Sequence, residues 1–179
     1  MSRTRVLVIA LLGCALLYDG SSRTLPAPQQ QSAPRATLDA VAVARVVGSV
    51  NPALSPHELD RIGAAVLRYS SKYDVDPELV MAVLVVESGA RPWARSPKGA
   101  MGLMQVMPRM MAPLGVAGNF TTIESNIEAG CYILSDNIHR LGEEDGISAY
   151  FWGSDIRNVV YLQRVQEARR TVRARLRSS

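Results

Sequence analysis

Asp76-Pro77-Glu78-Leu79-Val80-Met81-Ala82-Val83-Leu84-Val85-Val86-Glu87-Ser88-Gly89 is the stretch that decides the fold. Asp76 is a helix-capping residue, and Pro77 suits the first helical position, where no N–H is required. Leu79 through Val86 are apolar without a break. The β-branched content alone also allows a buried strand, but the Asp-Pro start and the length favour a helix buried on every side. Such a helix must be wrapped by others. Upstream, Ser55-Pro56-His57-Glu58 has the pattern of a capping box. Leu59, Ile62, Val66, Tyr69 and Tyr73 then recur at helical spacing. Downstream, Ile123, Ile127, Gly130, Leu134, Ile138 and Leu141 mark a helix closed by Gly142. A short helix is predicted over 147–152. A last one is predicted over about 155–176, with Tyr161, Leu162, Val165, Ala168 and Val172 inward. No alternating strand pattern emerges, so the fold class is mainly α, in one helical domain.

The chain has 179 residues, 47 % of them apolar and 20 % charged, which suits one core and excludes a disordered chain. The net charge is +4, and 18 of the 20 basic residues are arginine, which points to anionic partners. Two cysteines exclude a disulfide scaffold, two histidines exclude most histidine metal sites, and no metal or cofactor is expected. Residues 1–18 read as an export signal: Arg3 and Arg5 precede an apolar run at 6–17 that is too short to span a bilayer. Leu11-Leu12-Gly13-Cys14 resembles a lipoprotein cleavage box, so lipidation at Cys14, ordinary cleavage and an uncleaved anchor all stay open. Residues 19–50, rich in Pro, Ser and Gln in their first part, read as a mostly disordered linker. Within them, the Ala-rich run at 38–47 is ambiguous between a helix and an extended arm. The folded domain is expected over 51–179.

The chemistry starts at Glu87. Its helical neighbours are apolar, and it lies at the negative end of the helix dipole; both favour the protonated acid. A carboxyl held uncharged near neutral pH is what a general acid requires. The alternative is a Glu that merely caps the helix or pairs with Arg91 or Arg95. From Ser88 to Ile123 the chain has no Asp or Glu at all. This segment places Ser96, Gly99, Gly102 and Gln105 shortly after the lone acid. The glycines admit a ligand to the backbone, and Ser96 and Gln105 can hydrogen-bond sugar hydroxyls and amides. Met101, Met104 and Met107 also fit a packed stripe.

Glu87-Ser88-Gly89-Ala90-Arg91-Pro92 followed by Ser96-Pro97-Lys98-Gly99-Ala100-Met101-Gly102-Leu103-Met104-Gln105-Val106-Met107-Pro108 resembles the signature of the soluble lytic transglycosylases, peptidoglycan-cleaving enzymes. Asn126-Ile127-Glu128-Ala129-Gly130, then Ala149-Tyr150 with Gly153, then Tyr161-Leu162 with Val165, are similar to further blocks of that family in order. The resemblance implies a lysozyme-like helical fold with a cleft. It also implies cleavage between N-acetylmuramic acid and N-acetylglucosamine in glycan strands. By the match, Glu87 is the acid/base, Ser96, Gln105 and Met107 line the muramyl side, and Tyr150 sits beside Glu87. Asn126 is expected to position backbone rather than touch sugar. The family's usual Asn after the Ala-Tyr pair is Phe151 here, followed by Trp152, and both aromatics are expected to be buried rather than to stack on sugar.

Most glycosidases use two carboxylates. One acid followed by 36 positions without another fits a single-acid mechanism that ends in a 1,6-anhydro product. Hydrolysis directed by Glu124, Glu128 or Asp155 is the alternative chemistry, and a non-catalytic wall-binding component of a secretion apparatus is the alternative class. Peptidoglycan strands are the expected partner, in the periplasm, with membrane attachment through the N-terminus one of the open outcomes. Nucleic acid is not expected as a partner, nor is an oligomer. Cys131 reads as a buried thiol, and His57 and His139 as surface or cap residues. The six arginines from Arg164 to Arg177 read as a solvated helix face or as an attraction to anionic polymer or lipid.

Overall fold

Ser55 caps its helix as the sequence predicts: its hydroxyl accepts from the Glu58 N–H at 3.3 Å, and the Glu58 carboxylate accepts from the Ser55 N–H at 2.9 Å. The computed structural model describes residues 38–111 and 122–178, so the expected export segment, Cys14 included, lies outside the described residues. Among these are α1 (Ala40–Val50), α2 (Pro56–Lys72), α3 (Pro77–Ser88), α4 (Pro108–Met111), α5 (Ile123–Leu141), α6 (Glu143–Trp152) and α7 (Val160–Arg177). Extended pairing among the described residues is limited to single bridges of Met101 with Arg95 and with Val106. No described helix is long and apolar enough to cross a membrane.

The centre is α3. Leu79 to Leu84 are each at most 1 % exposed, enclosed by α1, α2 and α7. Val85 and Val86 are half-buried, so the wrapping thins towards the C-terminal end of the helix. Arg169 of α7 pairs with Asp76, the cap of α3, and with Glu143 at 2.8 Å; Arg173 pairs with Glu78 at 2.6 Å. These arginines therefore fasten α7 to the start of α3 rather than forming a purely solvated face. The helix over 143–152 starts four residues earlier than predicted, with Glu143, Glu144 and Asp145 in its first turn, where acids suit the dipole.

The folded body also starts earlier than expected. The predicted linker 19–50 ends in a packed helix, α1, capped by Asp39, whose side chain accepts from the Ala42 N–H at 2.7 Å. Val43, Val46 and Val47 recur at helical spacing and are at most 2 % exposed. They bury one face of α1 against the core, which explains why this run is ordered despite its linker-like neighbours. The contact is close: a Cβ at Gly63 of α2 would stand 2.4 Å from the Ala40 carbonyl oxygen. Gly63→Ala is therefore expected to destabilise by about 1–3 kcal/mol through overpacking against backbone. Gly48→Ala, which meets only the flexible Leu59 side chain at 3.3 Å, should cost clearly less. Paired urea melts check the order; equal losses would mean that α1 does not dock as described.

Candidate active site

Glu87 occupies the last turn of α3 and is half-buried. The Tyr161 phenol, carried by α7, donates to its Oε1 at 2.6 Å. Burial raises the Glu87 carboxyl above its ordinary value; the Tyr161 bond and the charge of Arg164 pull it back, and burial wins. With Oε1 occupied as an acceptor, Oε2 is the oxygen left to carry the acid proton. The Tyr150 phenol donates to the Met104 carbonyl at 2.8 Å. Burial first, and then the nearby Glu87 charge, hold both phenols well above the usual tyrosine range, so both serve as neutral donors.

The acid-free segment after α3 is a tied loop. Asn126 of α5 reaches into it: Oδ1 accepts from the Met104 N–H and Nδ2 donates to the Met101 carbonyl, both at 2.8 Å. Gly102, at φ 77°, makes room for this, because a Cβ there would lie 2.5 Å from Asn126 Cγ. The expectation that Gly102 admits a ligand is thus corrected: it admits Asn126, whereas Gly99 faces open space. Met101 and Val106 exchange backbone hydrogen bonds at 3.1 and 3.0 Å. Ser96 Oγ accepts from the Ala100 N–H at 3.0 Å. Gln105 adopts a left-handed backbone, φ 48°, and its amide donates to the Ala94 and Gly102 carbonyls at 3.1 and 3.0 Å. Part of the polar capacity of Ser96 and Gln105 is therefore spent on shaping the loop.

Glu87, Ser96, Gln105, Met107 and Tyr150 all line one groove of about 890 Å³. Lys98, Arg109, Phe151 and Trp152 share its wall. Phe151 is not buried as expected: it is 53 % exposed and stacks on Tyr161, with ring centres 4.9 Å apart and planes 18° apart. The half-buried Trp152 meets Phe151 edge-on. Among the described residues, Glu87 is the only carboxylic acid lining the groove. Glu124 is held by Arg61 in a double hydrogen bond at 2.7 and 2.6 Å, Glu128 by Lys72 at 2.5 Å, and Asp155 by Arg157 at 3.0 Å. Cys131 is buried, and burial pushes its thiol pKa upward, away from reactivity.

Residues 64–168 match the family model of the transglycosylase SLT domain. That is more than half of the chain, and the protein belongs to this family. A transglycosylase of Enterobacteria phage PRD1 is 38 % identical over 100 residues, covering 55 % of this chain and 36 % of the relative. The membrane-bound lytic murein transglycosylase C of Klebsiella pneumoniae is 42 % identical over 67 residues, 35 % of this chain and 19 % of the relative. The chain thus spans about a third or less of the length of these curated relatives. Among solved structures, the 70-kDa soluble lytic transglycosylase of Escherichia coli aligns with a TM-score of 0.49 at 22 % identity, over 76 % of this chain and 27 % of that one.

Two measurements test the electrostatics. Tyr161→Phe removes the donor to Glu87, so the carboxyl should titrate at still higher pH, as read by ¹³C NMR of the labelled side chain; an unmoved or lowered value contradicts the bond. Glu87→Gln should leave stability unchanged in acid, below the ordinary Glu value of about 4.3. Above that value the parent increasingly carries the cost of ionising a buried group, and the variant does not. Its melting temperature should therefore exceed the parent's at neutral pH, and parallel pH profiles would overturn the assignment.

Proposed function

We propose that the protein is a lytic transglycosylase that cleaves the β-1,4 bond between N-acetylmuramic acid and N-acetylglucosamine in peptidoglycan. One observation carries the reading: among the described residues a single carboxylic acid, half-buried and hydrogen-bonded by Tyr161, lines a groove of about 890 Å³. Family membership and the names of its relatives support it.

Protonated Glu87 gives its Oε2 proton to the glycosidic oxygen as the bond to muramic C1 breaks. The positive centre at C1 is stabilised by neighbouring groups of the substrate. Glu87, now a carboxylate, takes the proton of the muramic C6 hydroxyl, and O6 closes on C1 to give the 1,6-anhydro sugar. The acid is restored and no water is consumed. Tyr161 keeps its bond through both halves and steadies the carboxylate between them. Ser96 and Gln105 offer polar contacts to the muramyl sugar, Met107 an apolar one, and Tyr150 holds the Met104 carbonyl that braces the loop. The carboxylates that could direct a water for hydrolysis, Glu124, Glu128 and Asp155, are engaged by Arg61, Lys72 and Arg157. A substrate in the cell wall brings export to the periplasm into the proposal, through residues 1–18, with lipidation at Cys14, ordinary cleavage and an uncleaved anchor as its three outcomes.

Mass analysis of products from purified wall tests this. Anhydro sugars, lighter by one water than hydrolysis products, are expected; the hydrated masses would establish a muramidase. Glu87→Gln should lower turnover by at least about a hundredfold, the scale of a lost general acid. Clearing of a wall-containing gel by that variant would remove Glu87 from its role, and binding by the parent without clearing would indicate a docking module.

A further inference from the structure

Lys98 and Arg109 stand on the wall of the groove, both exposed, and neither has a carboxylate partner among the described residues. Arg157, a third cation of the same wall, is different, because Asp155 neutralises it at 3.0 Å. The two free cations do not tune the acid: Arg164 is the cation whose charge reaches Glu87. They do not hold the loop either, since its ties run through Asn126, Ser96 and Gln105.

The glycan strand itself gives them nothing to bind. Its hydroxyls and acetamides are neutral, and the lactyl carboxyl of the muramyl sugar is consumed as an amide where a peptide is attached. The free negative charges of this polymer are the carboxylates of those peptide stems. We propose that Lys98 and Arg109 form an anion-binding pair that takes the stem carboxylates as the strand lies in the groove. This rests on the transglycosylase reading and deepens it: the substrate is the peptide-bearing polymer rather than bare glycan. Arg109 presents a planar fork suited to a carboxylate, and Lys98 a mobile point charge. A lipid headgroup is the other common anion of a cell envelope. The cations line a recess shared with Glu87, and a flat bilayer reaches a recess less well than a strand does.

The test separates binding from catalysis. The full chain carrying E87Q, which blocks turnover, is sedimented with insoluble peptidoglycan free of secondary polymers. One batch is intact; in a second, the stem carboxyls are converted to neutral amides with a carbodiimide and excess ammonia, which leaves the cross-linked wall insoluble. Adding K98Q and R109Q should weaken binding to intact wall by roughly three- to thirtyfold, the range for two partly exposed ion pairs. Binding to amidated wall should not change, and K98R with R109K should restore the difference. Raising the salt should erase the preference for intact wall. Equal loss on both walls, or no loss on either, overturns the proposal. So does loss confined to phosphatidylglycerol vesicles, which would assign the pair to lipid. Because no arm requires cleavage, failure of the transglycosylase reading shows separately, as an absence of product from the parent.

Discussion

A carboxyl group placed at the end of a helix with no polar side is the constraint on which the rest of this structure turns. From Leu79 to Leu84 the helix offers nothing to water, so it must be enclosed by α1, α2 and α7. Enclosure fixes where its last turn emerges and leaves Glu87 with too little solvent to ionise at its ordinary pH. The same enclosure brings α7 close enough for Tyr161 to reach Oε1. Arg169 and Arg173 hold α7 in that register by pairing with Asp76 and Glu78, at the opposite end of α3 from the acid. On a solvated side of a helix the proposed acid would be ionised at neutral pH.

The opposite wall of the groove solves a different problem. A loop of some twenty residues has backbone groups that must find partners, and it does not build a sheet to supply them. Asn126 satisfies two of them at once, an N–H and a carbonyl, and each would cost about 1–3 kcal/mol if left buried and unpaired. Gln105 accepts an unfavourable left-handed backbone, offset by two hydrogen bonds from its own amide. These ties present Ser96, Gln105 and Met107 on a fixed surface, so the strand proposed as substrate would not have to order the loop first.

Much of this was legible in the sequence because it depended on local signals. The capping box at Ser55, the Asp-Pro start of α3 and the spacing from Ile123 to Leu141 all act within a few residues. Glu87 stood out because its apolar neighbours in sequence are also its neighbours in space. Asn126 could be read as a brace from its place in a motif. Long-range pairings could not be read. Tyr161 looked like any inward residue of α7, and nothing in 74 residues of separation says that its hydroxyl meets Glu87. Gly102 gave the signal of a ligand-admitting glycine, yet the group it admits comes from another helix. The ordering of α1 depends on Gly63 letting a backbone approach, a property of the pair of helices rather than of the Ala-rich run itself.

Position 151 shows how a departure from the family pattern can act on the acid without touching it. The usual Asn would bring donors and acceptors that compete for the Tyr161 hydroxyl. Phe151 brings neither. Its ring lies nearly parallel to the Tyr161 ring, and the side chain lines the groove. Water displaced from that side cannot solvate the Tyr161–Glu87 bond, and a hydrogen bond in a drier setting is both stronger and costlier to leave unmade. The substitution therefore works in the same direction as the burial of Glu87: it removes a polar alternative instead of adding a contact. In the proposed function, hydrogen bonding to the sugar falls to the tied loop and charge recognition to Lys98 and Arg109, which separates the group proposed to break the bond from the groups proposed to select the strand.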